Sequence, residues 1–543
     1  MTQANFMVPG PKNESYNSYA PGTPEREGLK AALKRLGSQE IEIPLIIGGE
    51  EVRTDDTVQV VMPHNHKHVL AVQHKAKKKE VDMAIEAALD ARSEWAATPW
   101  QERVAIFLKA ADLLTGTWRY TINAATMLGQ SKTPHQAEIE AVGELADFLR
   151  FNAYYLTGVM SDQPHSPDGM WNRVEYRPLE GFLFAVTPFN FTAIAGNLPT
   201  SMAMCGNVVL WKPASSSVYS NFYFMKLLQE AGLPDGIINF VPGSGSEVGD
   251  PVLQSPHFAG IQFTGSEGTF NNLWKGIAEN VESYHSYPRI VGETGGKDFI
   301  FVHSSANLEE VVTGALRGAY EYQGQKCSAA SRMYIPESVW PDFKEAFLAE
   351  VGRIKTGDVA DFSHFMGAVI DRKAYQSITS YIDFAREADE AEILAGGGYD
   401  DSVGYFVEPT VILTTDPKFK TMQEEIFGPV LTIYVYRDED FETTLELCNE
   451  TSPYGLTGAI FAKNRYVIKQ MSDALRNAAG NFYINDKPTG AVVNQQPFGG
   501  ARRSGTNDKA GSKQNMLRWL SARAIKEVFD PPTSWPYPYM DMD

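Results

Sequence analysis

Three residues in separate segments have side chains suited to covalent chemistry on a carbonyl. Cys327 stands in Tyr322-Gln-Gly-Gln-Lys-Cys-Ser-Ala-Ala-Ser-Arg332, between an expected helix and an expected strand. Such connections are where α/β proteins place active sites. Small neighbours leave the sulfur approachable, and Lys326 is expected to favour its thiolate. A lone cysteine is also often an inert core thiol. Cys205, between Met204 and Gly206, and Cys448, in Leu445-Glu-Leu-Cys448, read that way. A nucleophile needs a base, and no histidine neighbours Cys327. Glu293, in Gly292-Glu-Thr-Gly-Gly-Lys297, is the candidate, because its glycines let a substrate or cofactor approach the backbone. A glutamate beside glycines equally fits a solvated turn. Asn190, in Thr187-Pro-Phe-Asn190, directly follows an apolar run. Its amide can donate to a developing oxyanion, although Pro and Asn also make ordinary turns.

Phosphate-binding signals follow two further apolar runs. Phe263-Thr-Gly-Ser-Glu-Gly-Thr269 precedes a helical pattern over 270–278 with Leu273, Trp274 and Ile277. Gly265 and Ser266 then stand at a helix N-terminus, where free N–H groups and the dipole favour a phosphate. Gly243-Ser-Gly-Ser-Glu-Val-Gly249 has G-x-G-x-x-x-G spacing, and Pro251 follows, so a helix opening on a pyrophosphate is not expected there. Lys212, closing Val208-Val-Leu-Trp-Lys212, can reach a ribose or a phosphate.

These groups need a scaffold, and the pattern supplies one. Helical periodicity marks 81–89 (Val81, Ile85, Ala88, Leu89) and 104–114 (Val104, Phe107, Leu108, Ala111, Leu114). A third helix carries Ile139, Val142, Ala146 and Leu149, with Glu144 on its opposite, polar side. From residue 181, short apolar strands at 182–187, 208–211, 237–241 and 260–264 alternate with helical stretches such as 221–231. That alternation predicts parallel pairing with crossover helices, a doubly wound α/β unit. A second α/β series starts with a strand at 299–302, a helix at 308–320 and a strand at 332–335, and continues to about 485. The tail from 530 is rich in Pro and aromatics and reads as an extended arm.

Composition narrows the class. The 543 residues carry 48 Lys+Arg against 67 Asp+Glu, a net charge of −19, with 43% hydrophobic residues. A surface this acidic repels nucleic-acid backbones and anionic lipid, and no apolar run approaches a membrane span. Three cysteines cannot form a disulfide framework in such a chain and suggest a reducing compartment. The first forty residues have neither a basic-then-apolar signal nor an Arg-rich transit look. A cytoplasmic enzyme is therefore expected, with the mitochondrial matrix as the alternative. His64-Asn-His-Lys-His68 places three histidines at i, i+2 and i+4, a spacing that could bind Zn or Ni, but Pro63 and Asn65 favour a surface hairpin, so no metal is expected.

Taken in order, the Pro-Phe-Asn190 turn, Trp-Lys212-Pro, Phe-Thr-Gly-Ser at 263–266, Glu293-x-Gly-Gly-Lys, Gly-Gln-Lys-Cys327 and Glu425-Ile-Phe-Gly-Pro429 resemble the aldehyde dehydrogenase superfamily over about residues 45–505. The resemblance implies an α/β aldehyde dehydrogenase-like fold: a Rossmann-type NAD-binding domain, an α/β catalytic domain and a small β oligomerisation flap. It implies Cys327 as nucleophile, Glu293 as general base and Asn190 as oxyanion donor. NAD would be held by Lys212, Gly265, Ser266, Glu267, Gly268, Thr269, Glu425 and Phe427.

Within the superfamily, Phe482–Asp508, Gln323–Ala329, Glu144–Phe151 and the Trp535-Pro-Tyr-Pro-Tyr-Met540 tail resemble the branch that oxidises L-glutamate γ-semialdehyde to glutamate, the last step of proline breakdown. That resemblance implies a substrate site of Glu144 for the α-ammonium, Phe191 and Phe498 for the stem, and Ser328, Gly490 and Ala491 for the carboxylate. Two departures stand out. Ser215 occupies the place where many members hold the adenosine ribose with Glu, and Ala491 stands where relatives commonly have Ser. Ala491 keeps another semialdehyde open as substrate. The absence of Arg or Lys near Lys212-Pro-Ala-Ser-Ser-Ser-Val218 favours NAD over NADP. The expected organisation is an N-terminal extension at 1–40, an NAD-binding domain at 41–155 and 178–297, a catalytic domain at 298–508, and an oligomerisation hairpin and arm at 156–177 and 509–543. The hairpin and arm, unable to form a core alone, are expected to make a homodimer.

Overall fold

The computed structural model describes residues 6–540; residues 1–5 of the expected extension and 541–543 of the expected arm lie outside the described residues. Two seven-stranded sheets organise the chain. In the first, Arg289–Glu293, Phe258–Thr264, Phe182–Val186, Val209–Lys212 and Ile238–Phe240 run parallel in that spatial order, and Leu45–Ile47 and Glu50–Val52 extend the edge antiparallel. Phe182–Val186 is buried along most of its length, as a parallel strand covered by helices on both faces must be. The second sheet orders Ala391–Ala395, Thr410–Thr414, Val430–Tyr436, Ala330–Pro336, Asp298–Val302, Thr457–Phe461 and Asn481–Ile484, all parallel except the first. Along Asp298–Val302 the side chains alternate between cores: Phe299 and Phe301 pack on one face, Ile300 and Val302 on the other.

The expected helix at 308–320 is present as Leu308–Tyr320. Asn307 caps it by accepting from the Glu309 N–H at 3.1 Å, Glu309 and Glu310 suit the positive end of the dipole, and Val311, Val312, Ala315 and Ala319 form the buried stripe.

The structure departs from the sequence pattern in several places. Gly245–Gln254 is a helix, with Pro251 inside it. Pro251, the seventh of its ten residues, withholds an N–H from the Glu247 carbonyl, so the helix forms with one intrahelical hydrogen bond fewer while Val248, Val252 and Leu253 anchor it in the core. The region before residue 161 is not a hairpin: helix Leu145–Met160 runs across the expected boundary at 155. Strand Met170–Arg177 pairs antiparallel with Ser521–Val528, from the far end of the chain. Nor is the stretch after 509 wholly an arm. Helix Lys513–Arg518 seats Met516, with Trp519 and Leu520 just beyond it, in the core of the N-terminal half. There the Asn207 side chain donates to the Trp519 carbonyl at 2.9 Å. The N-terminal extension is also anchored, since helix Pro24–Gly37 buries Leu29, Leu33 and Leu36 in that core. The expected hairpin is present, with Pro63-His64 turning between the antiparallel strands Thr57–Met62 and Asn65–His74, but His64 is buried, hydrogen-bonded to Ser131 Oγ at 3.1 Å. Beyond Val528 the aromatic tail lies in water: Trp535 is 79% exposed and Tyr539 83%. Among the described residues no helix is long and apolar enough to cross a membrane.

Trp519→Ala should therefore behave as a core deletion, not as the trimming of an arm. It is expected to lower unfolding free energy by about 3–5 kcal/mol in equilibrium urea denaturation. A change below about 1 kcal/mol would show that residues 513–520 contribute no core.

Candidate active site

The first sheet delivers its functional side chains from strand ends. Asn190 lies just after Phe182–Val186, Lys212 ends Val209–Lys212, Ser266 follows Phe258–Thr264, and Glu293 ends Arg289–Glu293. The chain starts at Phe182–Val186, builds outward through two strands, then returns to add Phe258–Thr264 on the other side. Asn190 and Ser266 thus flank the switch point, where open α/β sheets bind ligands. From Glu293 the chain crosses through Thr294–Lys297 straight into strand Asp298–Val302 of the second sheet. Cys327 precedes that sheet's neighbouring strand, Ala330–Pro336. The carboxyl ends of one sheet therefore face the amino edge of the other, and the nucleophile and base meet across the junction.

Cys327 is part-exposed between two cavities. One, of about 50 Å³, is lined by Cys327, Glu293, Glu144 and Phe498, and is roomy enough to admit water. The other, of about 250 Å³, is lined by Glu144, Phe191, Cys327, Ser328, Gly490, Ala491 and Phe498. All three catalytic candidates and all six substrate candidates thus gather around one thiol, except that Asn190 contributes from behind the wall. Its Nδ2 donates to the Gln325 carbonyl at 3.1 Å, leaving its second amide hydrogen for another acceptor. The cysteine loop is held in an uncommon conformation, with Tyr322, Gln323 and Gly324 all left-handed at φ 52°, 56° and 65°.

The thiol is not activated as its sequence neighbour suggested. Lys326 is buried and turned to Glu321, at 2.8 Å. Burial, then the carboxylates of Asp298, Glu425 and Glu293, push the Cys327 thiol well above its ordinary range. It therefore rests protonated, and attack requires a base. Glu293 is suited to take a proton from water beside the thiol, because burial raises it to about 8 against the opposing Gly500 N–H, which donates to Oε2 at 2.8 Å. A short strand-like bridge from Glu293 to Gly505, together with Thr294 N–H to the Ser504 carbonyl at 2.8 Å, fixes its backbone.

Glu144 does not sit on an outer polar face. It ends a π-helical stretch, Glu138–Glu144, whose extra residue per turn rotates it inward. Burial first, and then Glu140, raise it to about 8, and among the described residues it has no hydrogen-bond partner. Opposite, Gly490 at φ 98° turns the anchor loop, and Ser328 Oγ lies 2.8 Å from Thr489 Oγ1. Thr489 was not singled out from sequence, though it directly precedes Gly490. Its hydroxyl stands beside Ala491, where a serine hydroxyl is missing.

The cofactor candidates fall at a strand end, at the N-terminus of one helix and in the loop after Gln423. Ser266 caps helix Glu267–Glu279, accepting from the Thr269 N–H, with its hydroxyl 2.8 Å from Thr269 Oγ1. The N–H groups of Glu267 and Gly268 at the first turn are left for a ligand. Space around Gly268 is open, whereas a Cβ at Gly265 would strike Phe263 at 2.8 Å. The Glu267 side chain is not a phosphate contact: it accepts from Tyr454 at 2.8 Å and pairs with Arg503. Lys212 is lowered to about 8 by burial, and its ammonium meets only the Pro213 carbonyl, at 3.3 Å, among the described residues. Glu425 accepts from the Gly296 N–H at 2.9 Å and is raised to about 7 by burial. Phe427, at φ 58°, packs edge-on against Phe189 beside Asn190. A buried-stem ammonium with no carboxylate partner among the described residues, together with free helix N–H groups, suits a dinucleotide. Among the described residues no cluster of three or more His, Cys, Asp or Glu could hold a metal.

The Aldehyde dehydrogenase family matches residues 51–525, and the chain belongs to that family. It is 53% identical over 540 residues to the mitochondrial Delta-1-pyrroline-5-carboxylate dehydrogenase of Dictyostelium discoideum, covering 99% of this chain and 97% of the relative. To the Homo sapiens enzyme of the same name it is 51% identical over 529 residues, 97% and 94% of the two chains. The crystal structure of the Delta-pyrroline-5-carboxylate dehydrogenase from Mycobacterium tuberculosis bound with NAD superposes with a TM-score of 0.97 at 50% identity, covering 100% of both chains.

The raised Glu293 has a consequence for stability. Its folded-state value of about 8 lies above the usual 4.5, so the native state holds a proton that the unfolded chain releases between those pH values. Folding stability is unpenalised below the lower value and falls as pH rises through the upper one. Glu293→Gln should therefore unfold at a higher temperature than the parent at pH 8.5, with the difference vanishing near pH 4.5. Equal melting at both pH values would mean that the carboxyl is not dehydrated.

Proposed function

We propose that this chain oxidises L-glutamate γ-semialdehyde, in equilibrium with Δ1-pyrroline-5-carboxylate, to L-glutamate with NAD. The observation that carries the substrate is Glu144. It is a half-buried carboxyl with no hydrogen-bond partner among the described residues, in the same cavity as the thiol and across from a cluster of hydroxyl and backbone N–H donors. That spacing of a cation acceptor, an anion grip and a nucleophile suits an amino acid whose side chain ends in an aldehyde. The names of the similar enzymes agree with it.

The Cys327 proton leaves to water in the cavities beside it, and the thiolate attacks the aldehyde carbon. The resulting oxyanion is held by the free Asn190 amide hydrogen and by the Cys327 backbone N–H; losing one such donor typically costs about 10²–10³ in rate. NAD, when bound, supplies the hydride acceptor that turns the thiohemiacetal into a thioester. Lys212 and the first turn of Glu267–Glu279 hold its ribose and phosphates, and Glu425 orients its nicotinamide half. Glu293 then removes a proton from water in the smaller cavity, and that water hydrolyses the thioester. Ser328, Thr489 and the Gly490 and Ala491 N–H groups hold the substrate carboxylate, while Phe191 and Phe498 flank the stem. Glu144 ionises as the substrate ammonium arrives.

The assembly reading is a homodimer. Strands Met170–Arg177 and Ser521–Val528 form an isolated two-stranded ribbon, and the tail beyond exposes Phe529, Trp535, Tyr537 and Tyr539. A second copy is what would bury both. Residues 41–155 and 178–297 serve the cofactor and 298–508 the chemistry, with the ribbon and tail for assembly. The cytoplasm is the compartment this reading favours, while two of the similar enzymes are called mitochondrial.

Three experiments test these readings. Cys327→Ala should abolish turnover with NAD affinity nearly unchanged, and kcat/KM for glutamate semialdehyde should exceed that for succinate semialdehyde and unbranched aldehydes. A preference for succinate semialdehyde would assign the site to a substrate without the α-ammonium. Deleting residues 530–543 should weaken the dimer in sedimentation at assay concentration; a truncated protein that stays dimeric with full activity would remove the tail from assembly.

A further inference from the structure

The oxyanion donor and the nucleophile come from different sheets, so something must hold their separation. We propose that the buried segment Gln130-Ser131-Lys132 is a brace that sets it, with Lys132 as its central positioning residue. This rests on the reading of Asn190 and Cys327 given above.

Each of the three side chains or carbonyls reaches one or both loops. Gln130 donates through Nε2 to the Phe189 carbonyl, and its Oε1 accepts from Thr192 Oγ1 at 3.0 Å, so it grips both sides of Asn190. Ser131, held left-handed at φ 55°, turns its carbonyl to the Gln323 amide at 3.0 Å. Its hydroxyl accepts from the Ala368 N–H at 2.9 Å. Both partners belong to the catalytic half, and Gln323 lies in the left-handed run before Cys327. Lys132 closes the brace. Its ammonium lies 4.5 Å from the Phe191 ring centre and 4.4 Å from that of Tyr322, one ring from each loop. It also pairs with Glu140 at 2.6 Å, whose other oxygen accepts from the Ala193 N–H at 2.9 Å. Lys132 is 1% exposed and Glu140 2%. A dehydrated ammonium between two aromatic faces and one carboxylate has a narrow choice of positions. The loops it contacts inherit that restriction.

The test is a double-mutant cycle on the full-length enzyme: Lys132→Met, Asn190→Ala and the two combined, with saturating NAD and semialdehyde. Lys132→Met should lower kcat by about tenfold or more while NAD affinity changes by less than about twofold, as expected of a misplaced but assembled site. In the Asn190→Ala background the same change should cost less than about twofold, because the donor it positions is gone. Lys132→Arg, which keeps the charge, should recover most of kcat. If Lys132→Met does not fold, Lys132→Met with Glu140→Met removes both charges and is read by the same criteria. A folded Lys132→Met with parental kcat, or an undiminished loss in the Asn190→Ala background, overturns the brace. Failure of both variants to fold makes the pair a stability element and likewise overturns it. A fully active Asn190→Ala would instead overturn the oxyanion reading.

Discussion

One hydrogen bond spans the division on which the chemistry depends. The Asn190 amide, from the turn after a strand of the first sheet, donates to the Gln325 carbonyl, two residues before the thiol, at 3.1 Å. Each sheet alone is an ordinary doubly wound scaffold. The reaction site exists only because the carboxyl ends of one face the amino edge of the other, with Thr294–Lys297 passing directly between them. Oxyanion stabilisation is steep in distance, so the spacing of these two loops matters more to rate than the identity of most lining residues.

The second constraint is electrostatic. Cys327 sits among the carboxyl groups of Asp298, Glu425 and Glu293, while its neighbour Lys326 is occupied by Glu321. A permanently ionised thiolate would be costly there, and the protein keeps the proton until a base can take it. Glu293, Glu425 and Glu144 are all raised by burial to values near neutrality. Near neutral pH each can change charge cheaply in response to a neighbour: the base to its proton, Glu144 to the substrate ammonium. Stability is given up to hold these groups dry, as is common where a fold serves chemistry.

Much of this was legible in the sequence. The α/β alternation after residue 181 places the strands within a residue or two, and the ordered motifs bring Asn190, Glu293, Cys327 and the anchor loop together. Other features escaped for physical reasons. An α-helical period shows Glu144 only as a polar side, and its place at the substrate rests on the family resemblance, because no local residue pattern announces the π-helical stretch that it ends. Lys326 was taken as the partner of its sequence neighbour, whereas a side chain answers to the nearest opposite charge in space. The Lys132–Glu140 pair and the Trp519 anchor depend on tertiary packing between distant segments, which periodicity does not encode. Pro251 argues against a helix at Gly245–Gln254, but burial of Val248, Val252 and Leu253 outweighs the one hydrogen bond the proline withholds.

The central claim is that a covalent acyl group forms on Cys327 and waits for Glu293 to release it. Intact-protein mass spectrometry of Glu293→Gln, quenched in acid soon after mixing with NAD and glutamate semialdehyde, tests this most directly. The account predicts a protein heavier by one glutamyl group, with the added mass on the peptide containing Cys327 and absent from Cys327→Ala. Turnover by Glu293→Gln with no such adduct, or an adduct on Cys205 or Cys448, would contradict it.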